Sequence, residues 1–526
     1  MSRAAISLKQ LEEDLLTCYF ARRPFEARQL GVEIARGAMP LIDAERVEDI
    51  AAAFGRIRAH CERLLTTSLT ADERFACGLM NEISSYELTA LREMPHRFVV
   101  SPLPEAGLTS QLLVLLPHLS IGSAQAAEEY REMCAVIPTL LQQSTAALQA
   151  GRFHGQTPVR HLVLRVIGQI EQYLDLPLAD DPYCSAVRTE GVADDLIFEI
   201  RSLAESRIRP AFRRYVEHLQ QHVWPSARGA DRAGLGWISD GEERYANALR
   251  RYTTLELTPV RTHDIGLALV EELRREMEHI GGAAGLAGGF TRLCRHLRDD
   301  PSLYDRNPAE MLARTRRALA RAESIAADWI TELPNDGCQV REMDDLESRN
   351  GVLGRYQPAA LDGSRPAYYL LNTEHARRSP IYETAVLAHH ESVPGHHLET
   401  VETRDAVAAS PFRQLLRVLP FYEGWCLYME RFADELGLYE DVVSRLGMVS
   451  FALWRSCRLV VDTGIHQLGW SRAKGIDFMW NNTALTRRNI MNEVDRYIAH
   501  PGSAVGYMID VLRYEKSART WEWTAR

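Results

Sequence analysis

The sequence predicts a mostly α-helical protein with a minor β element. Three observations point there. Most of the 526 residues follow a helical apolar period, and strand-like runs are few. The composition, 46% hydrophobic and 25% charged, is that of an ordinary globular chain with a large core. The 33 glycines and 23 prolines are too few for a linker-rich or low-complexity chain.

The elements follow in chain order. Leu8, Leu11, Leu15 and Leu16 share one face of a first helix. Residues 128–153 read as two helices, or as one interrupted at Pro138. VLLPHL (114–119) and PAYYLLN (366–372) are the best strand candidates. Thr258 before Pro259 starts a helix that Gly281 and Gly282 stop. Residues 307–332 carry apolar side chains at helical spacing, with arginines and glutamates opposite. No fixed-period repeat or flexible linker appears. The chain therefore reads as one continuous catalytic body, loosely divided into an N-terminal helical half, 1–225, and a chemistry-bearing half, 226–526.

Charge and cysteines narrow the partners. The net charge of −10 disfavours nucleic acid. No apolar run approaches a membrane span, and no signal-peptide core is present near the first residues. Nine scattered cysteines without a CxxC suggest reduced thiols and a cytoplasmic location.

The chemistry concentrates in SPIYETAVLAHHESVPGHHLET (379–400), where four of the 17 histidines fall within nine positions. A helix starting at Ser379-Pro380 delivers His389, His390 and Glu391. Zinc hydrolases with an HExxH helix use histidines four residues apart and the Glu as general base. Here the fourth position after His390 is Pro394, so the plain spacing fails. On an ideal helix His396 would lie about 120° from His390 and ~9 Å along the axis, and His397 about 20° away but ~10.5 Å along. Neither can share an ion with His390 unless the backbone bulges at Pro394-Gly395. His396 is the expected second ligand and His397 its substitute. Glu423, in RVLPFYEGWCLYMERF (417–432), is the candidate third ligand. Glu430, on the same helical face, is a supporting partner or the ligand itself. Asp462 and His466, four apart, suggest a carboxylate orienting an imidazole that polarises a substrate oxygen. Tyr507 is a candidate oxyanion donor. Arg496 and Arg513 are candidate clamps for a substrate carboxylate. Cys426 reads as a packing residue.

HHESVPGHHLE (389–399), FYEGWCLYME (421–430), RLVVDTGIHQLGWS (458–471) and DRYIAHPGSAVGY (495–507) resemble, in this order, the block signatures of the bacterial domain-of-unknown-function 885 (DUF885) family. The resemblance is close over roughly 250–515 and looser before, through PFEARQLG (24–31). It departs from the family pattern at Glu399, Ser503 and Asp510. The family is grouped with gluzincin-like zinc metallopeptidases. The resemblance therefore implies a zincin-like, multi-helical fold and metal-dependent amide hydrolysis. It implies one Zn2+ on His390, His396 and Glu423, with Glu391 as base. The expected substrate is a small peptide or an amino-acyl conjugate. Two other readings are a non-haem iron enzyme using the same two histidines and carboxylate, and a helical binding protein with a retired site. A di-iron site would need paired Glu-x-x-His motifs, and Glu276 to His279 has no mate.

Overall fold

The computed structural model describes residues 3–512 except 31, 33–37, 41–43, 120, 122, 188–193, 287, 327, 329–336, 344–347, 349–352, 361–362, 364, 375, 407–410 and 417. Two compact units are present, Met1–Ala230 and Asp231–Arg526. Both are mostly helical. One small sheet lies in the second.

The first unit contains α1 (Arg3–Ala21), α2 (Ala44–Leu65), α3 (Ala71–Glu93), α4 (Ala124–Phe153), α5 (Arg160–Asp175) and α6 (Arg209–His218). Thr70 and Glu73 form a reciprocal cap at the start of α3. The core gathers Leu112, Tyr130, Ile137, Val166, Tyr183 and Phe212, all with no or almost no exposure. Two expectations are corrected here. Pro138 does not interrupt α4, which runs unbroken over 30 residues. An interior proline costs about 3 kcal/mol. Burial of Met133, Ile137, Leu140 and Leu141 on the same helix offsets that cost. VLLPHL is not a strand. Residues Gln111–Leu115 form a wide helical turn and Leu116–His118 a tight one. A short apolar run has no period that separates strand from buried helix.

The second unit contains α7 (Gly241–Thr253), α8 (Pro259–Ala283), α9 (Pro308–Ala326), α10 (Ile381–Glu391), α11 (His396–Ala406), α12 (Leu419–Glu435), α13 (Val442–His466), α14 (Arg472–Asn482) and α15 (Arg487–Ala499). Thr258 caps α8, as its position before Pro259 predicts. Residues 503–512 are helical again. The strands are β1 (Gln339–Glu342), β2 (Gly354–Gln357) and β3 (Tyr368–Leu371). β3 is central, parallel to β1 and antiparallel to β2. PAYYLLN thus supplies the central strand.

Helix α13 organises this unit. Every residue from Leu446 to His466 is buried, as expected of a helix packed on all sides. It packs against α8, α10, α12, α14 and α15. At Gly447 a Cβ would stand 1.9 Å from the Tyr382 carbonyl oxygen. Only glycine lets α13 come this close to α10, the helix that carries His390 and Glu391. Among the described residues, no helix is long and apolar enough to cross a membrane.

Candidate metal centre

Helix α10 ends at Glu391, and α11 begins at His396. The expected bulged continuous helix is replaced by a four-residue turn, Ser392–Gly395. Pro394 has no N–H to continue the ladder and disfavours helical backbone at Val393. The His397 N–H bonds the Ser392 carbonyl, and the Glu399 N–H bonds the Gly395 carbonyl. A Cβ at Gly395 would lie 2.0 Å from the His390 carbonyl oxygen and 2.5 Å from that of His389. The turn therefore needs glycine there. It brings the His390 and His396 rings together, nearly perpendicular and 4.8 Å between centroids.

Helix α12 closes the third side. Glu423 Oε2 lies 3.5 Å from His390 Nε2 and 3.7 Å from His396 Nε2. That oxygen is buried and has no hydrogen-bond partner. Leaving such a group unsatisfied is costly. Metal–ligand bonds of about 2.0–2.1 Å put neighbouring donors of a tetrahedral site about 3.3–3.4 Å apart. The two measured separations sit within a few tenths of an ångström of that edge. Glu423 thus stands near the spacing that a shared ion requires from each histidine.

The surroundings orient these groups. The His390 Nδ1 hydrogen bonds Glu430 Oε1 at 2.8 Å, leaving Nε2 toward Glu423. Glu430 also accepts from Arg455 Nη2 at 3.3 Å, so Glu430 is a partner of the histidine. The Tyr422 ring stacks on His396 at 4.0 Å. Cys426 Sγ lies 3.0 Å from His396 Nδ1. Donor atoms of His390, His396 and Cys426 also fall within 4.8 Å of one another. Burial and the adjacent carboxylates push the Cys426 thiol well above its ordinary range. A neutral thiol beside Nδ1 supports the imidazole, whereas the Glu423 carboxylate faces both Nε2 atoms. Cys426 is more than packing, and its spacing of three from Glu423 on one helix was the signal. His397 turns away, its Nδ1 3.1 Å from the Tyr356 hydroxyl. His389 is core, edge-on to Tyr439 at 5.3 Å.

Glu391 is buried beside this cluster. Burial raises its pKa to about 7, against the pull of His390. Burial opposes the charged forms of His390 and Glu423 as well. Glu423 and Glu430 override it at His390, raising the imidazole, and His396 and His390 override it at Glu423, lowering the carboxyl.

Beyond them runs an alternating column on α13. The Arg455 guanidinium sits 4.4 Å from both the Phe451 and Trp454 rings, and Arg458 sits 4.5 Å from both Trp454 and Tyr507. Tyr507 is half-buried. Burial, then the charge of Glu423, push its phenol up, so the hydroxyl stays a donor. Both arginines were missed in the sequence. Charged residues three apart on an otherwise apolar, buried helix were the available sign.

Three expected roles meet a different geometry. Asp462 does not orient His466. It accepts from the Tyr245 hydroxyl at 2.7 Å and from the Gly502 N–H at 3.0 Å. His466 Nδ1 accepts from the Leu235 N–H and Nε2 donates to the Tyr497 carbonyl, each at 3.0 Å. Both ring nitrogens serve the backbone, so the i,i+4 spacing reflects a buried helix and not a dyad. Arg496 grips Glu493 through Nε and Nη2 at 3.1 and 2.8 Å, so that edge of the guanidinium is not open to a substrate. Arg513 lies outside the described residues.

The sequence pattern of the family described as "Bacterial protein of unknown function (DUF885)" matches residues 24–522. No curated protein matches the chain. Among solved structures, "the putative lipoprotein from Colwellia psychrerythraea" superposes with a TM-score of 0.88 at 21% identity, covering 98% of this chain and 93% of that one. "A putative lipoprotein of unknown function from Shewanella oneidensis" superposes with a TM-score of 0.75 at 15% identity, covering 100% and 94%. At these identities they share the fold. They also correct the expected cytoplasmic location, since both are described as lipoproteins. The cysteine argument fails physically: all nine are buried and none forms a disulfide, so they are packing residues in either redox setting.

Proposed function

We propose that this chain, which belongs to the DUF885 family, hydrolyses amide bonds with one divalent metal ion, zinc by its donor set, in the manner of gluzincin-like peptidases. His390, His396 and Glu423 would hold the ion. The observation that carries this reading is the buried, unpartnered Glu423 Oε2 facing two Nε2 atoms at near-coordination spacing.

An ion held there supplies Lewis acidity toward water and a carbonyl oxygen. The Glu391 carboxylate takes a proton from water and returns it to the departing amine nitrogen. A carboxyl with a pKa near 7 can do both at neutral pH. The Tyr507 hydroxyl donates to the developing oxyanion, its ring held on Arg458. Glu430 fixes the His390 tautomer, with Arg455 behind it.

Elemental analysis of protein purified without added metal tests the reading, together with peptide turnover. About one equivalent of zinc is expected. Glu391→Gln should keep the zinc and lose roughly 10²–10⁴ of the rate. Iron in place of zinc would favour the oxygenase-type alternative. Failure to retain metal after zinc dialysis would overturn the proposal.

A further inference from the structure

A cavity of about 690 Å³ opens beside the N-terminal ends of α10 and α15. None of the residues around the metal centre lines it. Leu353, Asp305, Ser379, Arg377, Asn489 and Asn492 do. Asp305 is 2% exposed. Its Oδ1 accepts from Arg314 at 3.2 and 3.3 Å, while Oδ2 is buried without a partner. Arg377 spends Nε on the Arg306 carbonyl at 2.9 Å and presents the rest of an exposed guanidinium. Asn489 and Asn492, three apart on α15, bring two side-chain amides. Arg306 and Arg488 complete a lining with three guanidinium groups against the carboxylates of Asp299 and Asp305.

The sheet ties this cavity to the histidine cluster. The Leu353 carbonyl accepts from the Asn372 N–H at 3.1 Å, extending the β2–β3 ladder to the cavity wall. Three residues on, Tyr356 stands against the histidines, its ring 6.2 Å from that of His396 and its hydroxyl 3.1 Å from His397 Nδ1. At about 3.3 Å per residue, the cavity begins roughly 10 Å along β2 from Tyr356 and the histidines beside it. An extended peptide spans that distance with about three residues.

We propose that the cavity receives the C-terminal end of a peptide substrate, with its carboxylate on Arg377 and the neighbouring arginines. Peptide groups meet the Asn489 and Asn492 amides, and a peptide N–H meets Asp305 Oδ2. Cleavage then falls two or three residues before the C-terminus. Water oxygen bonds to the carbonyl carbon, the C–N bond breaks, and the amine leaves with the proton. This inference rests on the hydrolase reading above.

The test is calorimetric titration of full-length Glu391→Gln protein with tetra-alanine, its C-terminal amide, and alanine. The free acid should bind at least tenfold more tightly than the amide. Arg377→Gln, an exposed change, should abolish that preference, and Asn492→Ala should weaken both several-fold. Equal binding of acid and amide, a preference that survives Arg377→Gln, alanine binding as well as the tetrapeptide, or no binding at millimolar concentration would each overturn the inference. Mass spectrometry of wild-type digests should show released di- or tripeptides. Carboxylate-dependent binding without turnover would sink the hydrolase reading and keep the cavity's ligand. Turnover without carboxylate preference would do the reverse.

Discussion

Glu430 would not touch an ion held by His390, yet it decides which nitrogen of His390 is available. Its hydrogen bond to Nδ1 fixes the tautomer. Removing such a partner costs about 10–100-fold in metal affinity. Glu430→Gln should lose zinc affinity in that range, measured by competition with a chromogenic chelator, while Glu435→Gln on the exposed side of the same helix should not. Glu383 poses a different problem. It is buried on α10, its Oε1 has no partner, and burial raises its pKa to about 8 against the pull of Arg455. The folded state therefore holds a proton that the unfolded chain releases near pH 4.5. Stability is full below that pH and declines as pH rises toward 8. At 1.36 kcal/mol per unit the loss between pH 5 and 8 is at most about 4 kcal/mol. Denaturant titrations should show that decline in the wild type and a flatter profile in Glu383→Gln. Of these residues, the proposed ligands stood out in the sequence because histidines and glutamates in a cluster are chemically distinctive. Arg455, Arg458 and Tyr422 were not, because their roles exist only where α13, α12 and α11 meet.

At the scale of elements, the decisive feature is the turn between α10 and α11. It is tight enough that Gly395 has carbonyl oxygens where a side chain would begin. Gly395→Ala should therefore destabilise the protein by about 2 kcal/mol or more and weaken zinc binding as His396 is displaced. Gly55→Ala, in α2 with open space around it, should be neutral or gain up to about 1 kcal/mol. Denaturation midpoints of the two variants make the comparison. Pro394 and Gly395 announced a break in the sequence, but not its form. A helical wheel admits a bulge or a full stop, and only packing of Trp425 Nε1 on the Pro394 carbonyl, at 3.0 Å, and of α12 beneath it selects the stop. The same limit explains Asp462 and His466. Their spacing was right for a dyad, and each found a backbone partner on another element instead.

For the whole molecule, the proposed metal centre would join three helices of the second unit, α10, α11 and α12, so an ion bound there would add to its stability. A ligand at a hundred times its dissociation constant contributes about 2.7 kcal/mol. A chelator should lower Tm by several degrees, zinc should restore it, and Glu423→Gln protein should respond to neither in differential scanning fluorimetry. What the sequence determined alone is the helical class, the capped start at Thr258, and the identity of the chemical groups, because periodicity, capping and residue type are local properties. Tertiary structure decided which nitrogen faces which oxygen, which arginines stand beside them, and that Asp462 and His466 serve the backbone. Those outcomes depend on contacts between segments distant in the chain, and no local pattern encodes the distance between two side chains on different helices.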